Sequence, residues 1–336
     1  MSAEPTATDA GGELFVPAVT GSARPDARVL PVAPVTRFAP APTGFLHLGH
    51  LVNALYVWGV AQATGGRVVL RVEDHDRQRS RPEYEAALLE DLERLGLAPD
   101  EPPLAAFRAG ATPYRQSDNG AAYAAALDRL RADGLVYACS CTRATFAGWE
   151  AAHGRPWHGI GCPGGCRAAG RADTAGPAAT PTTPGPALRV AVGAGSERWV
   201  DLLAGPMADE PASGGDLLAR DRAGNWTYAF CVVVDDAANG VDLVVRGRDL
   251  LGATPAQLRL ARLLGRALPP RFLHHPLVRR VSGQKLSKAG RATAVREMLD
   301  AGSTPAELFG RAARLAGLRE RDAPIEPAVL GTLFRA

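Results

Sequence analysis

The sequence predicts an α/β fold with a parallel sheet, and three observations carry that prediction. Residues 35–38 form a short apolar strand, residues 51–63 repeat apolar side chains at helical spacing, and residues 67–72 read as a second strand after Gly65-Gly66. Strand, helix, strand is one βαβ unit, and such a crossover brings the two strands together in parallel. Ligands of parallel sheets bind beyond the carboxyl ends of the strands. Residues 40–50 and the sequence Glu73-Asp74-His75-Asp76 fall there. At 336 residues the chain has ample length for one large or two ordinary domains. A formal charge of +3 announces no broad basic field. A nucleic acid would have to be met by local patches such as Arg77-Gln78-Arg79-Ser80-Arg81 and Arg279-Arg280. No run of about eighteen apolar residues occurs anywhere in the sequence, and the N-terminus lacks a basic stretch followed by an apolar core, so a cytoplasmic protein is expected, with no membrane partner.

Taken in order, residues 1–33 are rich in Ala, Pro, Thr, Gly and Asp without a sustained period, and read as a mostly disordered leader. Residues 34–138 hold the βαβ unit and two more helices. Pro82 opens one that runs to residue 95, before Gly96; the other spans 123–133 and stops at Gly134. A strand at 135–138 leads into Cys139-Ser140-Cys141. The segment 139–187 also holds Cys162-Pro163-Gly164-Gly165-Cys166, and from residue 168 it becomes a low-complexity loop of Ala, Gly, Pro and Thr. Order returns over 188–290, with an apolar run at 229–234 that holds Cys231 as a core thiol. A buried-type strand at 241–245, a helix at 255–264 and a strand at 271–274 follow. After the loop Ser282-Gly283-Gln284-Lys285-Leu286-Ser287-Lys288-Ala289, residues 291–336 suffice for a short helical tail.

His47 and His50 stand three apart at the start of the first helix and so share a face. Free backbone N–H groups and the positive end of the helix dipole favour an anion there. Gly49 between them leaves space for a flat ring against the backbone. Two imidazoles so placed suit a nucleotide's phosphates. Lys285 and Lys288, with a hydroxyl between them in a glycine-containing loop, suit a flexible clamp on a polyphosphate. Cys139, Cys141, Cys162 and Cys166 have the spacing of a tetrahedral structural Zn²⁺ site, one ion per chain, with His158 as the reserve ligand. Free buried thiols are the alternative.

Together the H-x-G-H and K-L-S-K sequences resemble the HIGH and KMSKS signatures of the class I aminoacyl-tRNA synthetases. Within that class, Arg37-Phe38-Ala39-Pro40-Ala41-Pro42-Thr43-Gly44 resembles the R-F-A-P-S-P-S/T-G opening of the glutamyl group. Arg71-Val72-Glu73-Asp74-His75-Asp76 resembles its R-I/V-E-D-x-D. Tyr228, Val232-Val233-Val234-Asp235-Asp236 and Val245-Arg246-Gly247-Arg248-Asp249-Leu250 match the second half of its catalytic domain. The resemblance implies a Rossmann-like catalytic domain in two halves, 34–138 and 188–290, with a zinc-bearing insertion at 139–187 and a short helical C-terminal tail. It implies glutamate contacts at Arg37, Phe38, Ala39, Pro40, Ala41, Glu73, Tyr228 and Arg246, and ATP contacts at His47, Gly49, His50 and Lys288. Catalysis would fall to His47, His50, Lys285 and Lys288, with Mg²⁺ accompanying ATP. These residue types suit the chemistry, because a planar arginine fork grips a carboxylate and a carboxylate such as Glu73 pairs with an ammonium.

In the resembling glutamyl-tRNA synthetases a large helical anticodon-binding region follows the lysine loop, where this sequence continues for residues 291–336. That difference, with the cysteine insert, resembles the glutamyl-queuosine tRNA(Asp) synthetases, a shortened paralogous family. The likeness implies tRNA-independent activation of glutamate with ATP. It also implies transfer to queuosine at the wobble position of the tRNA(Asp) anticodon loop, by a monomer without an anticodon-binding domain. The alternatives are a shortened glutamyl-tRNA synthetase charging a tRNA 3′ end, and a small-molecule adenylyltransferase with the same phosphate chemistry.

Overall fold

A computed structural model describes residues 7–8, 14–17, 23–154, 162, 165–170, 185–280 and 293–335. Lys285, Lys288, His158 and most of the low-complexity loop lie outside the described residues.

The βαβ unit forms where the alternation places it. Val35–Phe38 and Arg67–Leu70 pair in parallel, with Val35 opposite Arg67 and Phe38 opposite Leu70. Between them runs the helix Leu48–Thr64, ended by Gly65 in the left-handed region at φ 69°. This helix is buried on nearly all sides, because one face lies on the sheet and the other is covered by Pro305–Leu315 and the turn Pro327–Leu333. Gly59 permits that cover: a Cβ there would stand 2.4 Å from the Phe334 ring. The helix starts three residues earlier than its apolar period indicates, at Leu48, because His47 acts as its N-cap.

A second parallel group, Leu243–Gly247, Arg271–His275 and Glu197–Asp201, extends the layer, and Gly205–Asp209 closes its edge antiparallel. Asp242 ties the two groups: its N–H donates to the Val35 carbonyl at 3.0 Å, and its Oδ1 accepts from the Val35 N–H at 2.8 Å. The apolar run at 229–234 belongs to a helix, Tyr228–Ala238, that buries Phe230, Cys231, Val232 and Val233. A separate antiparallel sheet of Val136–Cys139, Ala187–Val190 and Leu217–Arg220 carries the first cysteine at a strand end.

One expectation is corrected. Leu14–Pro17, within the leader read as mostly disordered, pairs antiparallel with Val278–Arg280. Ala23 is also buried, and its carbonyl accepts from the Tyr56 hydroxyl at 2.5 Å. A strand this short has no period to read, and its hydrogen bonds come from a strand more than two hundred residues away. Among the described residues no helix is long and apolar enough to cross a membrane.

Candidate active site and cysteine cluster

A cavity of about 480 Å³ opens where Phe38, Gly247 and His275 end or nearly end their parallel strands. Arg37, Phe38, Ala39, Pro40, Ala41, His47, Gly49, His50, Glu73, Tyr228 and Arg246 all line it. Residues singled out in four separated stretches therefore border one chamber.

At one end, His47 and His50 cap the first helix reciprocally. His47 Nδ1 accepts from the Gly49 N–H at 3.1 Å, and His50 Nδ1 accepts from the His47 N–H at 3.1 Å. With both Nδ1 atoms used as acceptors, each neutral imidazole carries its proton on Nε2. The rings lie 3.9 Å apart, centroid to centroid. Gly49 serves differently from the expectation, since a Cβ there would stand 2.9 Å from Cε1 of His47. The flat ring that needs the glycine is His47's own. Two further lining residues escaped the sequence reading. Asn53 Nδ2 donates to His275 Nε2 at 3.0 Å, and His275 Nδ1 lies 2.9 Å from the Pro276 carbonyl. The only sequence signal was that Asn53 follows His50 by three positions on the same helix face.

The other end is a charged network. Arg37, only 3% exposed, donates from Nε to Asp236 Oδ1 at 3.2 Å and from Nη1 to the Val245 carbonyl at 2.7 Å. Its Nη2 has no protein partner among the described residues. Arg71, fully buried, bridges Asp236 at 2.7 Å and Glu73 at 2.9 Å. Burial opposes the charge on Asp236, but Arg71 and Arg37 outweigh it and hold the carboxyl below its ordinary range. Burial likewise opposes the charge on Arg71, and Asp236, Glu73 and Asp235 more than offset it. Asp235, next in the chain, stands 3.9 Å from Arg71 Nε and takes its hydrogen bonds from Tyr123, Gln116 and Asn119. Arg71 and Asp236 stand inside quoted motifs, yet nothing in the sequence pairs them. Arg246 donates to Gln257 at 2.7 Å and Thr254 at 2.8 Å, with the Tyr228 hydroxyl 3.5 Å away. Two fixed guanidiniums and one carboxylate in a shared chamber complement a small zwitterion that carries extra negative charge.

The cysteines form a second centre. The sulfurs of Cys139, Cys141, Cys162 and Cys166 all lie within 4.8 Å of one another. Cys141 Sγ stands 3.5 Å from Cys162 Sγ and 3.6 Å from Cys166 Sγ, with no disulfide among them. Sulfurs about 2.3 Å from one tetrahedral ion would be about 3.8 Å apart, so the donor set and spacing suit a thiolate-bound metal. Burial, together with its thiol neighbours, pushes the Cys141 thiol up. Burial acts the same way on Cys166, but hydrogen bonds led by the Ser140 backbone bring that thiol down to about 7. Cys231 takes no part in the cluster and is fully buried in the core.

A family model described as tRNA synthetases class I (E and Q), catalytic domain, matches residues 34–323. Curated relatives bear the name Glutamyl-Q tRNA(Asp) synthetase. The one from Symbiobacterium thermophilum is 40% identical over 299 residues, covering 89% of this chain and 91% of the relative. The one from Rhodobacter capsulatus is 40% identical over 291 residues, covering 82% of this chain and 98% of the relative. Among solved structures, a glutamate tRNA ligase from Elizabethkingia meningosepticum superposes with a TM-score of 0.67 at 24% identity, a likeness of fold. It covers 90% of this chain, which spans 66% of that ligase. The chain belongs to the catalytic-domain family of the class I tRNA synthetases for glutamate and glutamine, and is an enzyme of the ligase type.

Proposed function

We propose that this ligase activates glutamate with ATP in the absence of tRNA and transfers the glutamyl group to queuosine at the wobble position of tRNA(Asp). One observation carries the first half: Arg37, Arg246 and Glu73 border the same chamber as His47, His50 and a helix N-terminus. Glutamate's two carboxylates and one ammonium match the charged end, and a nucleotide's phosphates match the histidine end. A glutamate carboxylate oxygen attacks the α-phosphorus in line, the bond to pyrophosphate breaks, and glutamyl-adenylate stays in the cavity. The Nε2–H groups of His47 and His50, the helix dipole and Lys288 meet the charge growing on the phosphoryl oxygens, while Lys285 shares the clamp. Mg²⁺ entering with ATP would neutralise the leaving pyrophosphate. AMP departs when queuosine in the tRNA(Asp) anticodon loop takes the acyl group. Support for that second half comes from the relatives' name and from the 91% and 98% of their lengths that align.

We also assign one Zn²⁺ to Cys139, Cys141, Cys162 and Cys166. Four protein thiolates leave no open position, so the ion would brace the insert and take no part in the chemistry. The enzyme is read as a cytoplasmic monomer.

Glutamate-dependent ATP–pyrophosphate exchange without RNA is the expected result, followed by labelling of queuosine-containing tRNA(Asp) and not of tRNA(Glu). Label at the 3′ end of tRNA(Glu) would instead make this a shortened glutamyl-tRNA synthetase. Absence of exchange with every amino acid would favour an adenylyltransferase of small molecules. In the same assay Lys288→Ala should lower the rate by about 10²-fold, the usual cost of one preorganised donor at a developing charge. Near-normal exchange would remove Lys288 from the mechanism.

A further inference from the structure

Arg246 is gripped from behind by a chain of groups that no motif contains. Asp201, at the end of Glu197–Asp201, has a fully buried side chain. Its Oδ1 accepts the backbone N–H groups of Leu203 and Ala204 at 3.0 and 2.9 Å. Its Oδ2 accepts from His274, through the backbone N–H at 3.2 Å and the ring Nδ1 at 2.6 Å. Across the ring, His274 Nε2 lies 2.9 Å from Nε of Arg246.

The order of donors and acceptors in this chain is forced. An ionised carboxylate only accepts and a guanidinium Nε–H only donates. The imidazole between them must therefore carry a single proton, on Nδ1, and turn the Nε2 lone pair to Arg246. The surroundings agree. Burial opposes the charge on Asp201, but hydrogen bonds led by His274 outweigh it and keep the carboxyl below its ordinary range. For His274, burial with Arg246 alongside outweighs the pull of Asp201, and the ring is held neutral below its ordinary value. The Phe272 ring lies stacked at 6° to the imidazole, 5.7 Å away, and so limits its tilt.

We propose that Asp201 and His274 are positioning residues for Arg246, fixing the rotation of its guanidinium so that its outer edge meets a substrate carboxylate. The proposal rests on the reading of the cavity as a glutamate site. With Nε held by His274, the short bonds to Gln257 and Thr254 fix the plane of the fork. The contacts to the Tyr228 hydroxyl at 3.5 Å and the Leu250 carbonyl at 3.3 Å are the longest it makes. Those are the two that a carboxylate replaces at least loss. An N–H on Nε2 of His274 would face the N–H of Arg246 and turn the fork out of register.

Asp201→Asn tests this with almost no change of size. The Leu203 and Ala204 N–H groups hold the amide oxygen, so the amide nitrogen faces His274, drives the ring proton to Nε2 and gives up the 3.2 Å bond from the His274 backbone N–H. We expect the KM for glutamate in ATP–pyrophosphate exchange to rise about tenfold or more, the scale of losses when an outer-shell partner of a buried ligand is removed. The KM for ATP should change far less, because Asp201 and His274 support the charged end of the cavity and not its histidine end. His274→Gln presents an amide N–H to Asp201 and a carbonyl to Arg246, restoring the order of donors and acceptors. It should keep the glutamate KM near the wild-type value, whereas His274→Leu should not. Nitrogen-15 NMR should find the Nδ1–H tautomer at His274 in wild type and the Nε2–H tautomer in Asp201→Asn. An unchanged glutamate KM in Asp201→Asn, in a protein whose wild type performs the exchange, overturns the positioning role even if thermal stability falls. A wild type without glutamate-dependent exchange overturns the glutamate reading itself, and the proposal with it.

Discussion

Arg37→Met is expected to abolish most glutamate activation, with kcat/KM for glutamate falling on the order of 10³-fold. Arg37 commits Nε to Asp236 and Nη1 to the Val245 carbonyl and leaves Nη2 without a protein partner among the described residues, at the wall of the cavity. Each hydrogen bond to a charged group contributes about 1.5–3 kcal/mol, and a bidentate grip supplies two, so the loss spans about 3–6 kcal/mol. At about 1.4 kcal/mol per tenfold this brackets the stated factor. Methionine fills the same volume without a charge. Asp236 keeps its 2.7 Å bond to Arg71, so its carboxylate is not left without a cation. The chain should therefore fold, and the KM for ATP should change far less than that for glutamate. Arg37→Lys keeps the charge but loses the planar fork, and should fall between the two. Steady-state exchange kinetics at varied glutamate decide the matter: a kcat/KM within tenfold of wild type would take Arg37 out of the substrate contacts.

Removing the metal is the other large effect. The purified protein should hold about one zinc per chain, and a strong chelator should release it with local unfolding of the cysteine-bearing end of the sheet. Apparent free energies of structural zinc binding reach about 10 kcal/mol or more, comparable with the whole stability of a domain. One side of the sheet packs Val136, Leu188, Val190, Leu217 and Ala219 against Leu127, Leu130 and Phe230 of the neighbouring helices and should persist. The cysteine-bearing end has less to hold it: its small core of Tyr137, Cys139, Cys162, Cys166 and Ala187 consists mainly of the ligands themselves. Cys162→Ser removes one of the four thiolates and should lower both the zinc content and the melting temperature. Thiols must lose their protons to bind, so acidification should release the ion and a rise in pH should restore it. Elemental analysis combined with calorimetry tests this. A metal-free protein with an unchanged melting transition would leave the four sulfurs as ordinary buried thiols.

Much of this molecule was legible because its signals are local. The βαβ unit follows from two strands and a helix whose periods fit within residues 35–72, and the cysteine set from four residues within 139–166. His47 and His50 were legible as a pair because a helix turn brings positions three apart together, although their reciprocal capping was not. Long-range partnerships were hidden. Arg37 and Asp236 are 199 positions apart, Arg71 and Asp236 165, and Asp201 and His274 73. No period or spacing links such residues, and a buried charge looks like a surface one until its solvent is known to be gone. The same holds for Leu14–Pro17, which becomes a strand only because Val278–Arg280 offers it an edge.

Residues close together in the chain suffice for the α/β class, the βαβ unit that opens the cavity, and the residue types available for phosphate, carboxylate and metal, although the strand Glu197–Asp201 and the helix Tyr228–Ala238 were not read from them. Which cation faces which carboxylate, which imidazole nitrogen carries the proton, and how Phe334 seals the first helix across Gly59 follow only from contacts between distant parts of the chain. The physical reason is that secondary structure answers to neighbours a few residues away. Charge, tautomer and packing answer to whatever the fold brings within about 4 Å.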